Sequence, residues 1–228
     1  MDRFLSIILE LLQGFGVTLL LFAVTLMLSL PLGLIMSFGS MSKFKPVNYL
    51  CKGIIWIIRG TPLMLQILLV SFLPKYLFGA LNKDVAMFFG ISTKSLLFVF
   101  VAVAFIINYS CYFSEIFRAG IQSISVGQYE AGKVLGMTKS QIFFKIILLQ
   151  VIKRIVPPMS NEIITLVKDT ALAQILGVVD LLNAANHAVN AYVILTPLVY
   201  AAIFYLIFNG LLTLLFGYAE KKLNYFRS

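Results

Sequence analysis

Charge is scarce in this chain. Of 228 residues, 18 are Lys or Arg and 9 are Asp or Glu, together 12%, about half the share usual in a soluble domain. So few charges cannot cover a water-facing surface on a chain that is 61% hydrophobic. The excess apolar surface needs lipid as its solvent. Histidine occurs once and cysteine twice. His187 has no partner at metal-ligand spacing, and Cys51 and Cys111 lie in or beside apolar runs. A zinc site and a disulfide framework are therefore not expected, and the cysteines read as two buried thiols. Also missing are a polar run long enough to fold in water, a Gly/Ser-rich linker, an inverted repeat and a nucleophile–base pair. Residues 1–228 read as a single membrane domain that performs no covalent chemistry.

What charge there is leans one way. The formal net charge is +9, but the bases sit in short clusters between apolar runs. No basic face or aromatic platform is left for nucleic acid. The clusters instead set orientation, because loops rich in Lys and Arg stay in the cytoplasm. From Gly14 to Gly39 there is no charge; that stretch reaches roughly 39 Å as a helix, more than the ~30 Å hydrocarbon core. It exceeds the usual length of a signal-peptide core, and no small-residue cleavage site follows, so a retained first helix is expected. A second helix is expected over Val47–Leu73, broken near Arg59-Gly60-Thr61-Pro62 because Pro62 lacks a donor and Gly60 loosens the chain. The stretch Pro74–Lys94 reads as a mixed loop with room for a short interfacial helix. A third helix covers about Ser95–Phe117. A fourth begins near Ile146, is interrupted at Pro157-Pro158 and continues to Lys168-Asp169-Thr170. A polar loop follows over Asp180–Asn190, then a fifth helix over about Tyr192–Tyr218.

With the N-terminus outside, the inner segments hold Lys43, Lys45, Lys52, Arg118, Lys133, Lys139, Lys145 and the tail Lys221, Lys222 and Arg227. The outer segments hold only Arg3, Lys75, Lys83 and Lys94. The expected architecture is all-α and integral to the membrane, with about five spans, N-out and C-in.

The polar stretch of about 119–145 carries the most specific signal. Gly127-Gln128-Tyr129-Glu130-Ala131-Gly132-Lys133-Val134-Leu135-Gly136 reads as a short helix stopped at a glycine, with a second amphipathic piece after it. Ala131 and Gly132 permit close approach of a partner, Tyr129, Val134 and Leu135 offer apolar knobs, and Glu130 offers a charge. A phosphate-binding loop is excluded, because Val134 stands where Ser or Thr must follow Lys133 and no strand precedes it. Gly132-x3-Gly136 lies in a polar loop, so it is not a membrane-packing motif.

The run Glu130-Ala131-Gly132-x3-Gly136-x9-Ile146-x-Leu148 resembles the EAA loop of ABC importer permeases, which docks into a groove on the ATPase subunit. Gly132 replaces the usual alanine and Leu149 the usual proline. Other segments resemble the polar amino-acid uptake family (histidine, arginine, glutamine or cystine type) in order along the chain: Gly14-x-Gly16-x-Thr18-Leu19, Arg59-Gly60-Thr61-Pro62 with Gln66, Glu115-x2-Arg118-Ala119-Gly120-Ile121, and Pro157-Pro158-x2-Asn161-Glu162 with Lys168-Asp169-Thr170. The resemblance implies the type I ABC importer permease fold in a bacterial plasma membrane. It further implies a second permease copy or sibling, two ATPase subunits that hold ATP and magnesium, an extracellular substrate-binding protein or domain, and a polar amino acid as cargo. No cofactor is expected on this chain.

Two sets of site residues follow. The coupling set is Gly127, Glu130, Ala131, Gly132 and Gly136. The substrate-pathway set is Arg59, Thr61, Gln66, Asn161, Glu162, Lys168 and Asp169. Arg59, deep in apolar sequence, either shapes a gate or makes a structural pair or snorkels to the interface. Glu162 either binds an amino group of the cargo or pairs with Lys168 or Arg59. Glu115 and Arg118, three apart, read as a structural pair on one helix face.

Overall fold

The computed structural model describes residues 2–223. Arg227 of the basic tail lies outside them. The described residues form helices joined by short turns, with no strand. In chain order they are α1 (Asp2–Ser40), α2 (Lys45–Arg59), α3 (Leu63–Phe78), α4 (Asn82–Phe88), α5 (Thr93–Gln122), α6 (Val126–Val134), α7 (Lys139–Ile142), a π-helical turn (Phe143–Ile147), α8 (Leu148–Asp169), a 3-10 stretch (Thr170–Leu176), α9 (Leu181–Tyr192) and α10 (Thr196–Leu223). Three helices are long and apolar enough to cross a membrane: Arg3–Ser40, Thr93–Gln122 and Thr196–Leu223. The pair α2 and α3 passes the same test as one bent span, its two halves meeting at 109°.

The centre of the molecule is α1 lying along α5, and the sequence of α1 explains why. Thr25, Ser29, Gly33 and Ser37 recur at every fourth residue, so they form one stripe of small side chains. Thr25, Ser29 and Ser37 are fully buried. At Gly33 a side chain would meet the Phe113 Cβ and the Ser110 carbonyl, both at 2.9 Å. Where lipid is as apolar as leucine, close backbone approach of this kind holds helices together. Around the seam sits the main core, with Leu21, Ile67, Val101, Phe105, Tyr109, Phe113 and Leu166. A second core joins α1, α9 and α10 through Ile7, Leu11, Leu181, Ala185 and Ala201. The outer face of α10 leaves Leu206, Ile207, Leu211 and Leu214 exposed, as a lipid-facing helix requires.

Three expectations need correction. The first helix does not start near Gly14 but at Asp2. The fourth is not interrupted at Pro157-Pro158: α8 runs through both prolines. Each proline removes a donor but leaves its φ helical, and neighbouring packing tolerates the freed carbonyls. Asn161 and Glu162 therefore stand on regular helix. The polar stretch 180–190 is not a loop but α9. The Asp180 carboxylate caps it, accepting from the Leu182 and Asn183 amides at 3.3 and 3.0 Å, and Ala184, Ala185 and Ala188 bury its inner face. The short helix allowed for between the second and third spans is present as α4, and the break at Arg59–Pro62 is present between α2 and α3.

Candidate functional site

The break between α2 and α3 is held open by one side chain. Pro62 starts α3 from an extended backbone, so the last turn of α2 loses its helical partners. Gln66, buried one turn into α3, fills the gap. Its amide nitrogen donates to the Ile58 carbonyl at 2.8 Å, the Thr61 carbonyl at 3.1 Å and the Thr61 hydroxyl at 2.8 Å. Its amide oxygen accepts from Asn108 of α5 at 3.0 Å. Asn108 is also buried, so the bent pair is tied to the central helix through a buried Gln66–Asn108 contact.

The bend delivers Arg59 to the middle of a chain of hollows. The guanidinium lies 5.0 Å above the Tyr112 ring, a cation–π distance. It approaches Glu115 at 3.7 Å. Glu115 is already engaged: Arg118 holds it through Nη2 at 2.5 Å and Nε at 3.0 Å. The expected Glu115–Arg118 pair thus forms, and Arg59 is its looser third member.

On one side of Arg59 lies a cavity of about 560 Å³, lined by Thr61, Asn108, Tyr109, Tyr112, Glu162, Thr165, Asp169 and Leu172 among others. The Tyr109 hydroxyl donates to the Asp169 carboxylate at 2.7 Å, which fixes where that carboxylate points. Glu162, Thr165 and Asp169 sit at i, i+3 and i+7 of α8, so one face presents all three. Asn161 and Lys168 share the neighbouring face, about 100° around. Both are exposed and neither lines this cavity. Of the pathway set, then, Arg59, Thr61, Glu162 and Asp169 meet at one hollow, Gln66 supports it from behind, and Asn161 and Lys168 stand apart. Sequence reading passed over Asn108, Tyr109 and Tyr112. Asn108 had a signal: it is the one amide in the apolar run from Leu96 to Ile107 and onward to Tyr109.

The coupling set forms a separate unit at the other end of α5. Helix α6 ends at Gly136, whose φ of +70° is a conformation that glycine adopts freely. The Met137 amide then closes on the Gly132 carbonyl at 3.0 Å. Thr138 and Gln141 form a capping box that starts α7. Gly132 is buried, and a side chain there would meet Ile142 Cγ1 at 2.6 Å, so its small size lets α6 sit on α7. Gly127, Glu130 and Ala131 are exposed, as are Val126, Val134 and Leu135. Below them Ile124, Ile142, Ile147 and Val151 make a small core of their own. Gln150 of α8 donates to Gln128 of α6 at 3.2 Å, and Arg154 of α8 donates to the Ser123 carbonyl. The hairpin is therefore joined to the same helix that carries Glu162 and Asp169.

A set of long apolar helices around a charged hollow, with an exposed hairpin fixed to the hollow's own helix, defines a membrane permease. The model of the family described as "Binding-protein-dependent transport system inner membrane component" matches residues 29–225. The chain belongs to that family, the permease subunits of ABC importers. Among curated relatives, it is 33% identical to the arginine transport system permease protein ArtQ of Bacillus subtilis (strain 168) over 214 residues, 93% of this chain and 91% of the relative. It is 36% identical to the L-cystine transport system permease protein TcyB of the same organism, over 85% of this chain and 77% of that one. Among solved structures it superposes on a chain of an amino acid ABC transporter crystallised with histidines, at a TM-score of 0.79 and 29% identity over 96% of both chains. The inward-facing MetNI methionine ABC transporter shares the fold, at a TM-score of 0.64 and 14% identity.

Proposed function

We propose that this chain carries a polar amino acid, cationic by preference, into a bacterial cell as the membrane-spanning half of an ATP-driven importer. The carrying observation is the charge of the 560 Å³ cavity. Glu162 and Asp169 face one guanidinium, that of Arg59. A free amino acid bears a carboxylate and an ammonium, and a basic one bears a second cation. Two carboxylates and one guanidinium complement that pattern, and inside a low-dielectric wall each pair counts for more than in water. The relatives named for arginine and cystine transport support the same class of cargo.

In this reading the hairpin of α6 and α7 is an EAA-type loop. Glu130 and the exposed apolar residues beside it meet a groove on an ATPase subunit, which binds the ATP and magnesium. Because Gln150 ties α6 to α8 and α7 continues through the π-helical turn into α8, movement of the ATPase reaches Glu162 and Asp169 along that helix. The exposed polar face of Asn161 and Lys168 would be costly against lipid and is assigned to a second permease subunit. A substrate-binding protein or domain delivers the cargo outside. The five-span, N-out and C-in arrangement requires α8 to cross as well, its charges covered by these partners. The test is uptake of labelled arginine, glutamine and glutamate by proteoliposomes holding the assembly copurified from native membranes. ATP-dependent uptake of arginine with exclusion of glutamate is expected. Uptake indifferent to ATP, or preference for glutamate, refutes the reading.

A further inference from the structure

The hollows around Arg59 are not electrically alike. The 560 Å³ cavity on one side carries two carboxylates and one guanidinium. A second recess of about 410 Å³ shares Arg59, Gly60 and Tyr112 with it and carries Lys52, Arg59 and Arg118 against Glu115 alone. The stacked Arg59–Tyr112 pair is the wall common to both. Glu115 is committed to Arg118 through two short bonds, which leaves Arg59 at 3.7 Å. Lys52 has no hydrogen bond or ion pair among the described residues. The basic character is built into α2, where Lys45, Lys52 and Arg59 recur every seven residues and so share one face. The recess lies toward the hairpin end of α5, since Glu115 and Arg118 are in the last turns before Gln122.

We infer that the basic recess disfavours a cationic amino acid at the inner end of the pathway, so that a cationic amino acid on that side binds there more weakly than a neutral one. This inference rests on the transport reading above. A net positive solute is drawn to the acidic cavity and repelled from the recess beyond it. Like charge in the recess is expected to weaken binding of a cation there by about tenfold or more. Binding of a cation at that end is therefore weak relative to a neutral amino acid of similar size.

The test uses the assembled importer in proteoliposomes with the hairpin face accessible, and measures inhibition of uptake by arginine and by glutamine added on that face. Lys52→Glu inverts one charge of the recess. The expected result is that inhibition by arginine strengthens about tenfold or more relative to inhibition by glutamine, and that Lys52→Arg behaves as the parent protein. An unchanged arginine-to-glutamine ratio in Lys52→Glu, while ATP-driven arginine uptake persists, overturns the inferred role of the recess and leaves the transport reading intact. Absence of arginine uptake in the parent assembly overturns both.

Discussion

Replacing Gln66 with leucine should unfasten the break between α2 and α3 without changing the apolar volume much. The substitution removes the donor to Ile58 and Thr61 and the acceptor for Asn108. Thr61 is exposed to the cavity, so water replaces part of its loss. Ile58 keeps a long bond from the Thr61 amide at 3.4 Å. The Asn108 amide, buried on α5 at the edge of the same cavity, has far less access to water. A stranded buried donor costs about 1–3 kcal/mol, and with the loosened turn the total comes to about 2–3 kcal/mol. For a chain of this length each kcal/mol moves the melting temperature by about 2–4 °C, so a fall of roughly 4–12 °C is expected for the detergent-solubilised assembly, followed by size-exclusion after heating. The double variant Gln66→Leu with Asn108→Leu removes the stranded amide as well. It should be less destabilised than the sum of the two single changes by about 1–2 kcal/mol. A Gln66→Leu protein melting within a degree of the parent, or strict additivity in the pair, would refute the network.

Other outcomes follow from the same geometry. Glu130→Ala should leave the melting temperature unchanged, since the side chain is exposed, and lower transport per ATP hydrolysed by at least about tenfold, as loss of one member of an interfacial charge contact does; normal coupling would remove the hairpin from the ATPase interface. Gly136→Val forces a branched residue to a φ of +70° at a cost of about 1–2 kcal/mol or more. It should weaken coupling more than Gly127→Ala does, at a position where an added Cβ meets only the Ser125 hydroxyl at 4.0 Å, by the same ratio of uptake to hydrolysis. Glu162→Gln should raise the KM for arginine roughly tenfold, as loss of one charge-assisted hydrogen bond implies, with a smaller effect for glutamine. Equal effects on both solutes would assign Glu162 to structure.

How much of this was legible in sequence depends on whether the cause is local. The α2–α3 break was readable because Pro62 and Gly60 act on their own backbone. The glycine stop at Gly136 and the Glu115–Arg118 pair were readable for the same reason. The fate of Pro157-Pro158 was not: whether a proline breaks a helix depends on what packs around the freed carbonyls, and that is a tertiary fact. Helix α9 was missed because Asn183, Asn186, His187 and Asn190 outweighed the alanines between them, although Asp180 in front was a fair N-cap. In the site, Glu162 and Asp169 were named through the resembling segments Pro157-Pro158-x2-Asn161-Glu162 and Lys168-Asp169-Thr170. Separating them from Asn161 and Lys168 needed the helical phase of an unbroken α8. The partners of Gln66 and Asp169 lie on α5, 42 and 60 residues away, beyond any spacing rule.

One further consequence lies in the five residues Phe143–Ile147. They are wound as a π-helical turn, with the Leu148 amide reaching back to the Phe143 carbonyl. Such a turn holds a surplus residue relative to ordinary winding. It fixes the angular phase between Ile142, seated on Gly132, and the carboxylates farther along α8. Excising one residue here would regularise the winding and leave the two ends nearly in phase, whereas excising one from the ordinary α-helix between this turn and Glu162 would rotate one end against the other by about 100°. Engagement of a neighbour at the hairpin would then point Glu162 and Asp169 away from Arg59. A single-residue deletion between the two ends is thus a way to break transmission while both ends stay whole.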